Sequence, residues 1–412
     1  SALSFQYLRG KVKTKGRLEV AYTIDSPQWQ AMNSLCASRH RPFYFYDLED
    51  ALTRALAYLK SGARVHYAMK ANSNSRLLRS FAQAGLGVDV VSLGEMQKAL
   101  AHGFKPKNII FSGVGKDRED LESALQNEIL QVNVESFEEL QHLEAICQSR
   151  RRRIDVALRL NILLEAPTHK HVQTANPDSK FGLDMRQLPQ VLDWWRAGAR
   201  HAELKGLTVH IGSRIMDLDV FRRMSLEMAR LYGEVKAEGF PLARLDLGGG
   251  FGIDYQTDGA DDMERLASYF AAVLPPHQGG PEIIFEPGRF LVARMGVLMS
   301  KVIYVKKAPE REFVILNAGM NSLMRPALYQ SYHRIVPMKP RSGPLKNYKV
   351  VGPLCESTDT FAESRALSPL ESGDWVGIFD AGAYGAVMAN TYNESQMPEQ
   401  WSWLHGQLEV EV

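Results

Sequence analysis

The sequence predicts an α/β fold: a (β/α)8 barrel over residues 40–289, joined to a mostly β domain made of residues 1–39 and 290–412. Three observations predict it. Eight short β-rich runs recur at 65–70, 87–91, 108–112, 129–134, 154–160, 205–211, 243–248 and 281–286. Amphipathic helical patterns separate most of them, at 74–85, 92–102, 117–127, 136–149, 217–238 and 261–274. Past residue 290 the texture changes to strand-like runs with few long helical patterns. Strands alternating with helices imply parallel βαβ units, and eight units over about 250 residues fit a closed barrel. An open doubly wound sheet is the alternative. The even spacing and the number of strands favour closure.

Taken in order, residues 3–22 alternate apolar and polar positions around Gly10 and Gly16 and read as a hairpin. A short helix is expected over 27–39, then a strand at Pro42-Phe43-Tyr44-Phe45-Tyr46. Asp47 is placed to cap a helix whose apolar positions are Leu48, Ala51, Leu52, Ala55, Leu56 and Leu59. In the second domain, 296–306, 311–317, 347–351 and 374–380 read as strands, and 336–346, with Pro337, Pro340 and Pro344, as a loop. The N-terminal strands are expected to join this domain.

Composition narrows the function. The chain has 412 residues, 45% hydrophobic and 23% charged, enough for two ordinary globular domains. A net charge of +2 gives no electrostatic footprint for nucleic acid. The run Arg150–Arg153 falls between a helical pattern and a strand, where cations favour a helix C-terminus. Cys36, Cys147 and Cys355 are far apart without metal-like spacing, so neither a disulfide framework nor a metal site is expected. No apolar run approaches the roughly 18 residues of a membrane span, and no secretory h-region is evident. A cytoplasmic enzyme acting on a small molecule is the expectation.

Barrel active sites lie at the C-terminal ends of the strands. Those ends carry Lys70; Asp89, followed by Ser92 and Glu95; Arg159 and Asn161; His210-Ile211-Gly212-Ser213; Gly248-Gly249-Gly250-Phe251-Gly252; and Glu286-Pro287-Gly288-Arg289. A lysine ending an apolar run is costly to desolvate, and there its pKa can fall and its amine form a Schiff base. Alone, Lys70 reads equally well as a cap on an exposed strand end. Glycine runs let backbone approach an anion and aim N–H groups at it. The loops after strands seven and eight commonly build a barrel's phosphate site, and Gly248–Gly250 and Gly288 fall there. A Schiff-base lysine beside a phosphate site points to pyridoxal 5'-phosphate. Glu286 then keeps the pyridine nitrogen protonated, and His210 stacks on the ring.

These motifs together resemble the fold-type III pyridoxal-phosphate-dependent decarboxylases, over nearly the whole chain and least over residues 1–40. Tyr67-Ala-Met-Lys-Ala-Asn72 is similar to the family's Schiff-base motif. Asp89 to Glu95, His210 to Ser213, the Gly248 run and Glu286 to Arg289 match in order. The resemblance implies that Lys70, Asp89, His210, Ser213, Gly248, Gly249, Gly250, Glu286, Gly288, Arg289 and Tyr384 hold the cofactor, and that Lys70, His210 and Cys355 are catalytic. Ser179-Lys180-Phe181-Gly182, Arg325 to Tyr329 and Cys355 to Asp359 resemble the branch that acts on meso-2,6-diaminopimelate and yields L-lysine. Arg289, Arg325, Tyr329, Glu356 and Tyr384 would then hold the substrate. Arginines suit a far carboxylate and Glu356 a far ammonium. The resemblance also implies a homodimer in which Cys355 and Glu356 enter the partner's site. Two positions depart from the pattern: Arg214 stands where glutamine is usual, and Thr174-Ala175 where Thr-Gly is usual. Arg214 is expected to pair with Asp217 or to alter the pocket. Decarboxylases of ornithine, arginine, D-lysine or carboxynorspermidine are the alternatives on this scaffold. A racemase, usually with arginine at the pyridine nitrogen, and a non-catalytic homologue fit the intact motifs less well.

Overall fold

The computed structural model describes residues 26–162, 179–199 and 201–411. The hairpin expected at 3–22 lies outside these residues. The described chain opens with helix α1 (Pro27–Ser38) and strand β1 (Phe43–Asp47). The barrel strands follow: β2 (Arg64–Ala68), β3 (Gly87–Val90), β4 (Ile109–Phe111), β5 (Gln131–Val134) and β6 (Ile154–Asn161). A short strand β7 (Leu183–Asp184) comes next, then β8 (Ala202–Thr208), β9 (Arg244–Asp246) and β10 (Glu282–Phe285). All pair in parallel, β10 returns to β2, and β7 only extends β6. The barrel is therefore closed, and its eight strands fall on the eight runs expected.

Helices on the outer face are α2 (Leu48–Leu59), α3 (Ser75–Gln83), α4 (Leu93–Ala101), α5 (Arg118–Asn127), α6 (Phe137–Arg150), α7 (Leu188–Gly198), α8 (Leu218–Ala237) and α9 (Asp262–Val273). Their starts are chemically marked. Asp47 accepts the Glu49 N–H at 3.1 Å, as its placement predicted. Ser92 and Ser136 cap α4 and α6 in the same way. Among the described residues, no helix is long and apolar enough to cross a membrane.

The second sheet begins after the short helix α10 (Arg289–Val292). It contains β11 (Gly296–Lys307) and β12 (Glu312–Leu316), then, beyond helix α11 (Arg325–Tyr329), β13 (Ile335–Pro337), β14 (Lys346–Val351), β15 (Thr360–Leu367), β16 (Trp375–Ile378), β17 (Glu399–Leu404) and β18 (Gln407–Val410). Its order is β15-β14-β12-β11-β1-β17-β18, with β16 also on β11 and β13 on β16. Two sequence expectations change here. Ile335–Pro337 is a strand antiparallel to β16, so the loop expected from 336 starts later. Strand β1 lies on the barrel side of a boundary at residue 40, yet it pairs with β11 and β17 of this sheet. The reason is its run of four aromatic residues, Phe43 to Tyr46. Phe43 and Phe45 pack into a small core with Trp29, Met32 and Met299, while Tyr44 and Tyr46 join the main core. A strand covered on both faces reads as a continuous apolar run.

Candidate active site

The site starts from Lys70. Strand β2 stops at Ala68, and a single 3-10 turn, Met69–Ala71, carries Lys70 to the barrel mouth. The turn is fixed by its neighbours: the Tyr67 hydroxyl donates to Asn72 O (2.7 Å), and the Asn72 side-chain amide donates to Gly382 O (2.8 Å). Lys70 Nζ stands 3.5 Å from Asp89 Oδ2 at the end of β3, in register with Ala68. Both Asp89 oxygens are buried and accept no hydrogen bond. The expected fall in the lysine pKa is reversed. Enclosure works against the ammonium, but Asp89, and after it Tyr384 and Glu286, outweigh that effect and hold Lys70 above the usual lysine range.

Glu286 follows β10 and faces Lys70 across a cavity of about 660 Å3, also lined by Asn133, Arg159 and His210. Its Oε1 accepts from Asn133 Nδ2 at 3.1 Å. Burial first, then the neighbouring carboxylates Asp246 and Asp89, push the Glu286 carboxyl well up. Burial also moves Asp246, beside Glu286, up to about 7. Carboxyls packed this closely cannot all ionise unless a cation joins them. His210, after β8, accepts the Gly249 N–H at Nδ1 (3.3 Å). Burial and the nearby cations Lys70 and Arg159 keep its ring neutral.

The glycine run is dictated by contact. A Cβ on Gly248 would stand 2.1 Å from Val209 O, one on Gly249 2.3 Å from Glu286 O, and one on Gly250 2.3 Å from Gly212 O. The expectation that the run aims its N–H groups at an anion holds less well. Gly248 donates to Asp246 Oδ1 (2.8 Å) and Gly249 to His210. Close approach is the role the geometry supports. Beside the run, a small cavity is lined by Ser213, Gly250, Gly288, Arg289 and Tyr384 as well as Lys70. Arg289 donates to Ser213 Oγ (3.1 and 3.3 Å) and to the Tyr255 hydroxyl (2.8 Å), and lies 4.8 Å over the Tyr384 ring.

Arg325, 1% exposed, heads α11. It meets His333 Nε2 at 2.8 Å and Ser331 Oγ at 3.4 Å, and lies 4.5 Å over the Tyr255 ring. Among the described residues no carboxylate forms an ion pair with Arg325, Arg289 or Arg214. Burial, reinforced by Arg289 and Arg214, lowers the Arg325 pKa. Asp217, the partner expected for Arg214, instead accepts the Asp219 N–H at the start of α8 (2.9 Å). Arg214 itself sits in a left-handed turn, φ 65°.

Ser179 and Phe181 line the cavity, and Phe181 lies under Arg159 (4.9 Å), which is bonded to Glu135 at 2.6 Å. Thr174 and Ala175 lie outside the described residues. Tyr329 and Cys355 are exposed, and neither they nor Glu356 lines this chain's cavity. Glu356 accepts the Thr358 N–H in a local turn (3.2 Å). The sequence did not single out Asn133, Asp246, Tyr255 or His333. Each is an ordinary residue in an ordinary context, given meaning only by a neighbour distant in sequence.

A lysine amine, a carboxyl group short of a cation, orphaned Asp89 oxygens and a cradle that no side chain could occupy fit pyridoxal phosphate at ring, nitrogen and phosphate. Fold and site together define a barrel enzyme of the pyridoxal-dependent class. Residues 47–293 match the family model described as pyridoxal-dependent decarboxylase, pyridoxal binding domain. A diaminopimelate decarboxylase from Helicobacter pylori is 39% identical over 358 residues, covering 85% of this chain and 87% of that protein. One from Bacteroides thetaiotaomicron is 36% identical over 372 residues, 88% and 95% of the two chains. The crystal structure of the H. pylori enzyme complexed with L-lysine superposes with a TM-score of 0.85 at 36% identity, over 92% of this chain and 95% of that one. The chain belongs to the diaminopimelate decarboxylase family of pyridoxal-dependent decarboxylases.

Proposed function

We propose that the chain decarboxylates meso-2,6-diaminopimelate to L-lysine and carbon dioxide, as a cytoplasmic homodimer whose subunits complete each other's sites. The observation that carries the substrate reading is Arg325, a buried guanidinium that no carboxylate of the described chain neutralises. Burying an unpaired guanidinium is expensive unless an anion arrives. A substrate with a second carboxylate at its far end supplies that anion, whereas ornithine or arginine does not. The reducing cytoplasm suits three free cysteines.

In this reading Lys70 Nζ anchors the cofactor, Gly248–Gly250, Ser213, Gly288, Arg289 and Tyr384 surround its phosphate, and Asp89 and Glu286 hold the charge at its ring. When bound, pyridoxal phosphate supplies an electron sink for the pair released as carbon dioxide departs. Glu286, beside Asp246, is poised to pair with a protonated ring nitrogen. Neutral His210 offers a flat face without adding charge. The proton that replaces the lost carboxylate comes from Lys70 Nζ or from the partner's Cys355 thiol, since this chain's own Cys355 is exposed and does not line its cavity.

The test is carbon dioxide release by the holoenzyme from meso-diaminopimelate, L-ornithine, L-arginine, and L- and D-lysine in parallel. Turnover of diaminopimelate alone supports the reading. Comparable turnover of L-ornithine or L-arginine would overturn the role given to the arginines.

A further inference from the structure

Lys70 belongs to the barrel and Tyr384 to the segment after β16, so the small cavity is assembled from both sheets. What holds the two sides in step is a chain of buried charge. Arg294 directs Nε to Asp262 Oδ2 on α9 (3.0 Å) and Nη1 to Asp380 Oδ1 (3.2 Å). Arg334, just before β13, directs Nε to Asp380 Oδ2 (3.1 Å) and Nη2 to Oδ1 (3.2 Å). Asp380 is 1% exposed, and both its oxygens are held by guanidinium groups.

The backbone explains why such a clamp is needed. Asp380 (φ 58°) and Tyr384 (φ 55°) both adopt left-handed conformations that non-glycine side chains disfavour. The surroundings must impose them. Ala381 and Gly382 donate to Gly296 O (2.8 Å) and Ala293 O (3.1 Å). At the other end the Tyr384 N–H donates to Ala71 O (2.8 Å), and Asn72 Nδ2 donates to Gly382 O. Ala71 and Asn72 immediately follow Lys70. The 380–385 turn thus runs from a two-armed ion pair to the lysine turn, with Tyr384 facing the cavity between.

We infer that Asp380 is a positioning residue for the cofactor site: gripped by Arg294 and Arg334, it sets the turn that places Tyr384 against Arg289 and steadies the Lys70 turn. This rests on the cofactor reading proposed above. A buried ion pair commonly adds little net stability over an apolar replacement, and its directional geometry is what distinguishes it. Asp380→Asn keeps the volume but leaves one oxygen, so its amide opposes the N–H groups of one arginine.

The experiment is titration of the apoprotein with pyridoxal phosphate, followed by absorbance and by circular dichroism of the bound cofactor. It compares wild type, Asp380→Asn, Tyr384→Ala and the double variant. Asp380→Asn loosens the grip on a turn held in a disfavoured conformation, so cofactor affinity is expected to fall by about 10- to 100-fold. The double variant should lose less than the product of the two single losses, because the aspartate acts in part through the tyrosine. Wild-type affinity in Asp380→Asn, or losses that multiply in the double variant, would overturn the inference. If Asp380→Asn does not fold, Arg334→Lys, which keeps the charge and loses the fork, takes its place in the same cycle with the same outcomes. Wild-type protein that takes up no cofactor would overturn the cofactor reading and this inference with it. Normal uptake by wild type and variant alike overturns the inference alone.

Discussion

At the scale of single residues, the site is governed by unbalanced charge. Asp89, and after it Tyr384, favour the ammonium of Lys70 against its enclosure, while burial and the neighbouring Asp246 and Asp89 favour the neutral form of Glu286. A cationic ring nitrogen would relieve the second imbalance, whereas Lys70 must give up its ammonium proton before its amine can hold the cofactor. Replacing Lys70 with alanine should abolish the visible absorbance of the bound cofactor and all turnover. A Lys70→Ala protein decarboxylating at the wild-type rate would end the proposed chemistry. Arg325→Met should act on substrate. Hydrogen bonds to a charged group are worth about 1.5–3 kcal/mol, so kcat/KM for diaminopimelate should drop by roughly 10- to 100-fold, mostly through KM. An unchanged KM would remove Arg325 from the substrate site. His66, buried on β2, has a different consequence. Burial lowers its pKa from 6.5 to about 3, so below pH 6.5 the unfolded chain binds a proton that the folded chain refuses. Its neutral ring therefore contributes stability that is present above pH 6.5 and is lost as pH falls toward 3. The slope is about 1.4 kcal/mol per pH unit. His66→Leu should flatten this acid limb in denaturant titrations at several pH values. A parallel pH dependence in wild type and variant would refute it.

At the scale of elements, the loop after β9 shows how sequence and structure divide the work. Gly250 has φ +94°, and a Cβ there would meet Gly212 O at 2.3 Å. Gly250→Ala must therefore shift the loop that lines the small cavity. Left-handed strain costs on the order of 1–3 kcal/mol, so we expect cofactor affinity about 10-fold weaker or worse, with the far-ultraviolet spectrum retained. Unimpaired cofactor uptake would show that the loop tolerates a side chain. The glycine run, Lys70 and Glu286 were legible in the sequence because each breaks an apolar strand pattern with a residue of special chemistry. Strands β15, β17 and β18 were not. Thr360–Leu367 alternates poorly, and Glu399–Leu404 is only half-buried at a position near the sheet edge, so neither leaves a clear period-two signal. Asp246 was equally silent: an aspartate ending a strand looks like a turn residue until Glu286 is seen beside it. Nor could the sequence show that the Gly248 and Gly249 N–H groups are taken by Asp246 and His210.

At the scale of the whole molecule, the barrel was readable because eight β/α alternations leave few other closures, whereas the membership of β1 needed the second core to be seen. The same scale carries the largest gap between the expected site and the single chain. Lys70, His210 and Glu286 share one cavity, while Cys355 is exposed and Glu356 points into its own turn. Exposed apolar side chains, among them Leu328, Tyr329 and Tyr332, follow Arg325 in the chain. In the homodimer proposed above, a self-complementary face would bury such a patch, and each Cys355 would enter the other subunit's cavity. This arrangement has a test that no single variant supplies. Lys70→Ala and Cys355→Ala proteins, the second nearly inactive where the partner's Cys355 is the proton donor, are mixed, dissociated and allowed to reassociate. With shared sites, half of the random dimers are mixed, and each mixed dimer has one site with both residues intact, so about one quarter of wild-type activity should return. If each site were built from one chain, every site in the mixture would lack a residue, and no activity would return.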